Sequence, residues 1–271
     1  MIYATVSGDA SGVLRSTGDA ASTEVVPEWW FDAECMTKPF LMWACAERLD
    51  LDASVVGGVG TVRDVLEHET TARFPSALEW LFSPEELRAE MRLAISRGDL
   101  RSDVGYSEVA SSVALIAAAF GQNVTTHVEA ATSALSALGL PAQLMRWAPL
   151  DDSATVVPSS ECISTSPYFP TLCAGYIRNL GPEFGGLMRL DALAEGLTAL
   201  CTAMCDQTTY GSYLSSRDPD HRWDETWNRV TRFVGGWELT DDNSLTLRSP
   251  ASGIRAAINR DDRSWTIELH T

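Results

Sequence analysis

The residues able to do chemistry are few, and their spacing favours no one reaction. Four histidines, His68, His127, His221 and His270, bound any histidine-based metal site or general base. His68 stands between Glu67 and Glu69, but successive residues on a helix do not converge on one point, so this triplet is expected on a solvated face. His221, flanked by Asp220 and Arg222, is expected at the surface of a helix's first turn, and His270 at a frayed end. The six cysteines, Cys35, Cys45, Cys162, Cys173, Cys201 and Cys205, lie mostly in apolar, helical contexts. They read as reduced, buried small hydrophobes in a chain far larger than a disulfide scaffold. Cys201 and Cys205 share a helix face and could supply half of a tetrahedral zinc site. No second pair accompanies them, so a core face with Leu197 and Met204 is the expectation.

Complete nucleophile and phosphate motifs are absent: the sequence contains neither Gly-x-Ser-x-Gly nor a glycine-rich phosphate loop. Partial matches fail on inspection. His127-Val128-Glu129 resembles the first half of the zinc-deaminase signature, whose second half needs Pro-Cys-x-x-Cys. Cys201 and Cys205 are one residue too far apart for it and lack the proline. Ser164-Thr165-Ser166 resembles the Ser-Thr-Ser strand of ADP-ribosylating toxins, but the downstream glutamate pair is missing. Asp151-Asp152 has no third carboxylate close by. No catalytic, cofactor-binding or metal-binding residue is therefore assigned, and no cofactor is expected.

The net charge is −17, and nineteen of the twenty basic residues are arginine, Lys38 being the single lysine. Such a surface repels phosphate backbones, so nonspecific nucleic-acid coating is disfavoured. A GC-rich genome, which favours arginine codons, is the leading account of the missing lysines. No apolar run reaches the roughly 18–20 residues of a membrane-spanning helix, and the first residues lack a basic leader. An intracellular, reducing setting, or a virion, is expected. Nine tryptophans in a chain with no visible active site point to contact surfaces. The positions singled out as an interface are Trp29, Trp30, Tyr168, Phe169, Trp223 and Trp227, the last two one helical turn apart.

The elements are read from periodicity and punctuation. Two short strands, 2–7 and 13–16, open a segment 1–27 that forms an N-terminal arm. Helical spacing follows over 28–49, with Pro39 as a break or kink. Thr61 caps a helix with Asp64 three residues on. Ser83-Pro84-Glu85-Glu86 opens a helix to 97, and Thr126 with Glu129 opens another to 138. A buried helix spans 107–120. Residues 149–170 form an irregular connection and a candidate boundary. Helices resume at 171–180 and 187–205, and Asp218-Pro219 starts a further one to 234. After Gly235-Gly236 the apolar residues alternate with period two, which predicts an antiparallel meander over 235–271.

These elements predict an α+β fold: a predominantly helical body (28–148 and 171–234), short N-terminal strands and a C-terminal antiparallel β-meander, the meander forming one unit with the helices. The function expected is that of a non-enzymatic structural or assembly protein, such as a viral or virus-like shell subunit, whose partner is protein and chiefly itself, with no membrane. Two alternatives stand beside it: an enzyme whose active site is dispersed along the chain, and an acidic monomeric binding or inhibitor module for a basic protein.

Overall fold

Alternation of apolar and polar residues organises the largest element, a seven-stranded antiparallel sheet. A computed structural model of the chain describes residues 2–18, 30–33, 36–54, 60–69, 71–72, 100–101, 119, 133, 135–144, 187–224, 229–249 and 253–270. Strands β1 (Ile2–Asp9) and β2 (Gly12–Gly18) form a hairpin. Short strands follow at β3 (Trp30–Asp32), β4 (Thr71–Ala72), β5 (Leu100–Arg101) and β6 (Leu187–Arg189). Among them lie α1 (Thr37–Ala46), α2 (Val62–Leu66) and a 3-10 turn at Ala142–Leu144. Helices α3 (Leu190–Cys205) and α4 (Thr209–Ser216) precede a ribbon of β7 (Arg222–Asp224) and β8 (Arg229–Thr231). The chain ends in β9 (Phe233–Val234), β10 (Trp237–Leu239), β11 (Ser244–Ser249), β12 (Ile254–Asn259) and β13 (Trp265–His270).

The sheet order is β2-β1-β13-β12-β11-β10-β9, so the first and last strands pair side by side as its second and third members. Ile254, Ala256 and Ile258 of β12 and Trp265, Ile267 and Leu269 of β13 all face the core, as period two requires. Helix α3 lies over this face. Its Thr198 hydroxyl accepts a hydrogen bond from the Trp265 indole at 3.1 Å. Ten of its residues are buried, from Leu190 to Met204. Burying a Leu or Met side chain stabilises by roughly 1.5–3 kcal/mol, so this seam carries much of the fold.

Two expectations about elements are overturned. The body is not predominantly helical: the described residues hold four α-helices and a 3-10 turn beside a large sheet. The helix expected from Asp218 to 234 is instead two antiparallel strands, with Trp223 opposite Val230 and Arg222 opposite Thr231. The physical reason is tertiary. Arg222 donates to the Glu67 carbonyl at 2.8 Å and Arg232 to Asp218 at 2.8 Å and to Asp241 at 3.2 Å, partners distant in sequence. Pro39 does not break a helix; it sits in the first turn of α1, where its missing N–H is no loss. The helices expected at 83–97, 107–120 and 171–180, and nearly all of 126–138, lie outside the described residues or almost entirely so, as does the 149–170 connection. Among the described residues no helix is long and apolar enough to cross a membrane.

Candidate functional site

Helix α1 is apolar on every side, and its one charged residue is the chain's only lysine. Residues 38–46 are all buried, with Lys38 itself 2 % exposed in the first turn. Taking an ammonium out of water is expensive unless partners compensate. Three other elements converge on that turn.

The first is the tight turn between β9 and β10. Gly235 and Gly236 sit at φ +59° and +82°, the conformation a two-residue hairpin demands. A Cβ on Gly236 would fall 2.7 Å from the Met42 sulfur and 3.4 Å from the Pro39 nitrogen, so only glycine lets this turn lie against α1. The second is α4. The Tyr210 hydroxyl lies 2.6 Å from the Gly235 carbonyl and 3.1 Å from that of Pro39, joining turn and helix through one proton. Tyr210 stacks on Trp43 with centroids 6.3 Å apart. Burial pushes its phenol well above the ordinary range, so it is a fixed donor. Glu47, at the end of α1, accepts from the Thr208 hydroxyl at 2.8 Å and the Tyr210 amide at 3.1 Å, which caps α4.

The third is α2. Its capping box is real: Thr61 and Asp64 exchange bonds of 2.6 and 3.2 Å. At its other end the Leu66 carbonyl accepts from the Gly236 amide at 3.2 Å. Beyond it the expected solvated face is overturned, because Glu67 and His68 are both fully buried. The Glu67 carboxylate accepts Arg217 Nε at 2.5 Å, Arg217 Nη2 at 2.8 Å and the Tyr213 hydroxyl at 3.0 Å. Those partners come from α4 and the residue after it, which no local spacing could reveal. The hydrogen bond to Glu67 holds the Arg217 proton more firmly than usual, whereas Tyr213 is raised first by burial and then by the Glu67 charge. His68 packs edge-on to Phe233 at 5.0 Å between centroids. Burial, then the Lys38 and Arg222 charges, hold its ring well below the usual histidine range. The cluster therefore gathers a buried lysine, a buried histidine and the Glu67–Arg217 ion pair between the start of α1, the end of α2 and the end of α4.

The residues singled out from sequence fall elsewhere. Trp30 is 9 % exposed in β3 and pairs with Arg189. Trp223 is 59 % exposed on β7. Trp29, Tyr168, Phe169 and Trp227 lie outside the described residues, as do Cys35, Cys162, Cys173 and His127. Cys201 is buried on α3 while Cys205 is exposed, so the two do not share a core face. Burial pushes the Cys45 and Cys201 thiols up to about 12, which makes both inert. Among the described residues no three His, Cys, Asp or Glu side chains gather as a metal site.

Lys38 was not singled out from sequence. The signal was a lone lysine in an arginine-rich chain, three residues after a cysteine and at the start of an apolar helix.

No family model matches the sequence, and no curated protein matches it. Solved structures match it along nearly its whole length. A novel penicillin-binding protein homolog from Caulobacter crescentus is 15 % identical, covering 99 % of this chain and 86 % of its own at a TM-score of 0.62. A class C β-lactamase from Rhodobacter sphaeroides is 14 % identical over 98 % and 88 %, also at 0.62. A family VIII carboxylesterase is 12 % identical over 99 % and 87 %, again at 0.62. These likenesses give the fold, that of β-lactamase-like and penicillin-binding-protein-like hydrolases. They overturn the predominantly helical fold class, and also the non-enzymatic shell-subunit reading, whose grounds were the absence of a catalytic motif and of a basic groove, the many aromatics and the strand-bearing ends. The enzyme alternative fits them better.

Proposed function

We propose that this chain is an acyl-transferring hydrolase with Cys35 as nucleophile and Lys38 as its proton acceptor, acting on small carboxylic esters or amides, cyclic amides included. In β-lactamases of class A and in penicillin-binding proteins a Ser-x-x-Lys motif supplies the nucleophile and a lysine. A chain with one lysine can place that motif in one way only, and position 35 then holds cysteine: Cys35-Met36-Thr37-Lys38. The observation that carries the reading is the burial of Lys38, at 2 % exposure, in the first turn of α1 within this fold.

The chemistry balances without a further reagent. Lys38 Nζ, as the free amine, takes the thiol proton while the sulfur attacks the substrate's carbonyl carbon. The tetrahedral adduct collapses as the C–O or C–N bond breaks, and the ammonium returns the proton to the departing alcohol or amine. Water then attacks the thioester carbonyl and gives up a proton to Nζ. The C–S bond breaks, the sulfur regains the proton, and the carboxylic acid leaves. A cysteine suits this role because its thiol is the more acidic and the more nucleophilic of the two hydroxyl-or-thiol choices.

The test is turnover of a p-nitrophenyl ester and a chromogenic cephalosporin, with acid-quenched peptide mass analysis. Cys35→Ala should abolish turnover and the acyl adduct on the peptide carrying residue 35. Lys38→Met should lower kcat/KM about 10²–10⁴-fold, the usual worth of a positioned proton acceptor. Unchanged turnover in Cys35→Ala, or an adduct on another residue, would sink the assignment.

A further inference from the structure

The proposed reaction sets Cys35 and Lys38 at the start of α1, yet α1 does little to fix that start. Its N-cap, Met36, makes no side-chain hydrogen bond, and no acid stands in the first turn. A helix start left in this state frays unless something outside the helix holds it. A proton passed between two side chains needs them held to within about half an ångström. The first turn of α1 must therefore be held by other elements.

One residue of α4 does this. Pro39, Trp43 and Glu47 stand four apart and so share one face of α1. Tyr210 runs along that whole face. Its amide donates to Glu47 at 3.1 Å, its ring stacks on Trp43 with centroids 6.3 Å apart, and its hydroxyl lies 3.1 Å from the Pro39 carbonyl. The far end of α1 has further ties, because Glu47 also accepts the Trp43 indole at 3.1 Å and the Thr208 hydroxyl at 2.8 Å. At the near end the same hydroxyl lies 2.6 Å from the Gly235 carbonyl. Its single proton thus sits between a carbonyl of α1's first turn and one of the β9–β10 turn. That turn is itself anchored, since the Gly236 amide donates to the Leu66 carbonyl of α2 at 3.2 Å. Phenylalanine at position 210 would keep the burial and the stacking on Trp43. The oxygen adds only the tie between helix and turn, one residue beyond Lys38.

We propose that Tyr210 is a positioning residue: its hydroxyl ties the first turn of α1 to the β9–β10 turn and so holds the segment from Cys35 to Lys38 in place for proton transfer. The inference rests on the reading of Cys35 and Lys38 as the reacting pair, yet its first readout does not involve turnover. Hydrogen exchange followed by mass spectrometry should show the amides of residues 41–43, which close the first turn, exchanging about tenfold faster in Tyr210→Phe than in the wild type. Replacing Tyr210 by para-aminophenylalanine, which keeps an N–H donor, should restore most of the protection. In turnover of the p-nitrophenyl ester, Tyr210→Phe should lower kcat about tenfold or more with KM within about twofold, and para-aminophenylalanine should recover most of it. Thr198→Val removes a hydrogen-bonded hydroxyl from α3, away from α1, and measures what a merely structural loss does. Its kcat should stay within about twofold of the wild type. Unchanged exchange over 41–43 in folded Tyr210→Phe overturns the inference. So does a kcat within about twofold of the wild type, or a loss that para-aminophenylalanine leaves in place, where Cys35→Ala abolishes turnover. If Tyr210→Phe does not fold, the wild type decides. Its Tyr210 hydroxyl proton should exchange slowly and show a nuclear Overhauser contact to Gly235, and the lack of one overturns the inference. Faster exchange over 41–43 together with turnover that survives Cys35→Ala supports the tie and overturns the proposed reaction instead.

Discussion

Exchanging Glu67 for glutamine keeps the side chain's shape and removes its charge from a site that water barely reaches. The carboxylate is 1 % exposed and accepts three donors, two from Arg217 and one from Tyr213. Removing one partner of a buried ion pair typically costs about 3–5 kcal/mol, because the other charge stays buried and unpaired. Arg217 is 37 % exposed and can partly rehydrate, which draws the expected loss down to about 2–3 kcal/mol. Glutamine also turns an N–H₂ toward one guanidinium donor, which keeps the loss from falling further. At about 2–4 °C per kcal/mol for a chain of this size, the midpoint of thermal unfolding should drop by roughly 4–12 °C. Urea unfolding followed by tryptophan fluorescence at pH 7 measures the free energy directly. Arg217→Met and the double variant complete a cycle, in which the two losses should fall short of additivity by about 1–3 kcal/mol. A loss under about 0.5 kcal/mol in Glu67→Gln, or strict additivity, would refute the claim that this pair holds the end of α2 in place.

Two more consequences can be read in the same apparatus. Gly235→Ala sets a Cβ 2.5 Å from the Tyr210 hydroxyl, which two carbonyls hold still, at a φ of +59° that disfavours alanine. A loss of about 2–4 kcal/mol is expected in urea unfolding, part of it recovered when Tyr210→Phe removes the oxygen. The second is a pH slope. His68 has a folded-state value well below its unfolded one, so its contribution is present above about 6.5 and is lost as pH falls through that value, by up to about 1.4 kcal/mol per unit. Glu69, raised mainly by its own burial, acts with the opposite sign, losing stability as pH climbs through its folded value. The difference between wild type and His68→Gln from pH 7 to 5 isolates the histidine; parallel curves would count against a neutral buried ring.

What could be read in the sequence was what neighbours in sequence decide. The period-two runs of β12 and β13 mark strands because every second side chain is buried. The Thr61–Asp64 box marks a helix start because both bonds close within three residues. Leu187 to Cys205 marks a helix, apart from its first three residues, which pair with β3. The failures have one cause. Asp218-Pro219 and the spacing of Trp223 and Trp227 resemble a helix start, but the acceptors that straighten the chain there belong to α2 and to Asp241. Glu67-His68-Glu69 looks solvated because isolated charges are rarely buried, and the arginine that changes this is 150 residues away. A helical body was expected from the capping signals and apolar spacing along 28–148 and 171–234, and no local spacing could show that β1 pairs with β13. Lys38 is a different case, since everything needed to notice it is local. A cysteine three residues before a lysine is a common enough spacing that it means little by itself. It gains meaning once the fold is known, because burying the only lysine of a chain whose other basic residues are all arginine inside an apolar helix is a cost that packing alone would have removed.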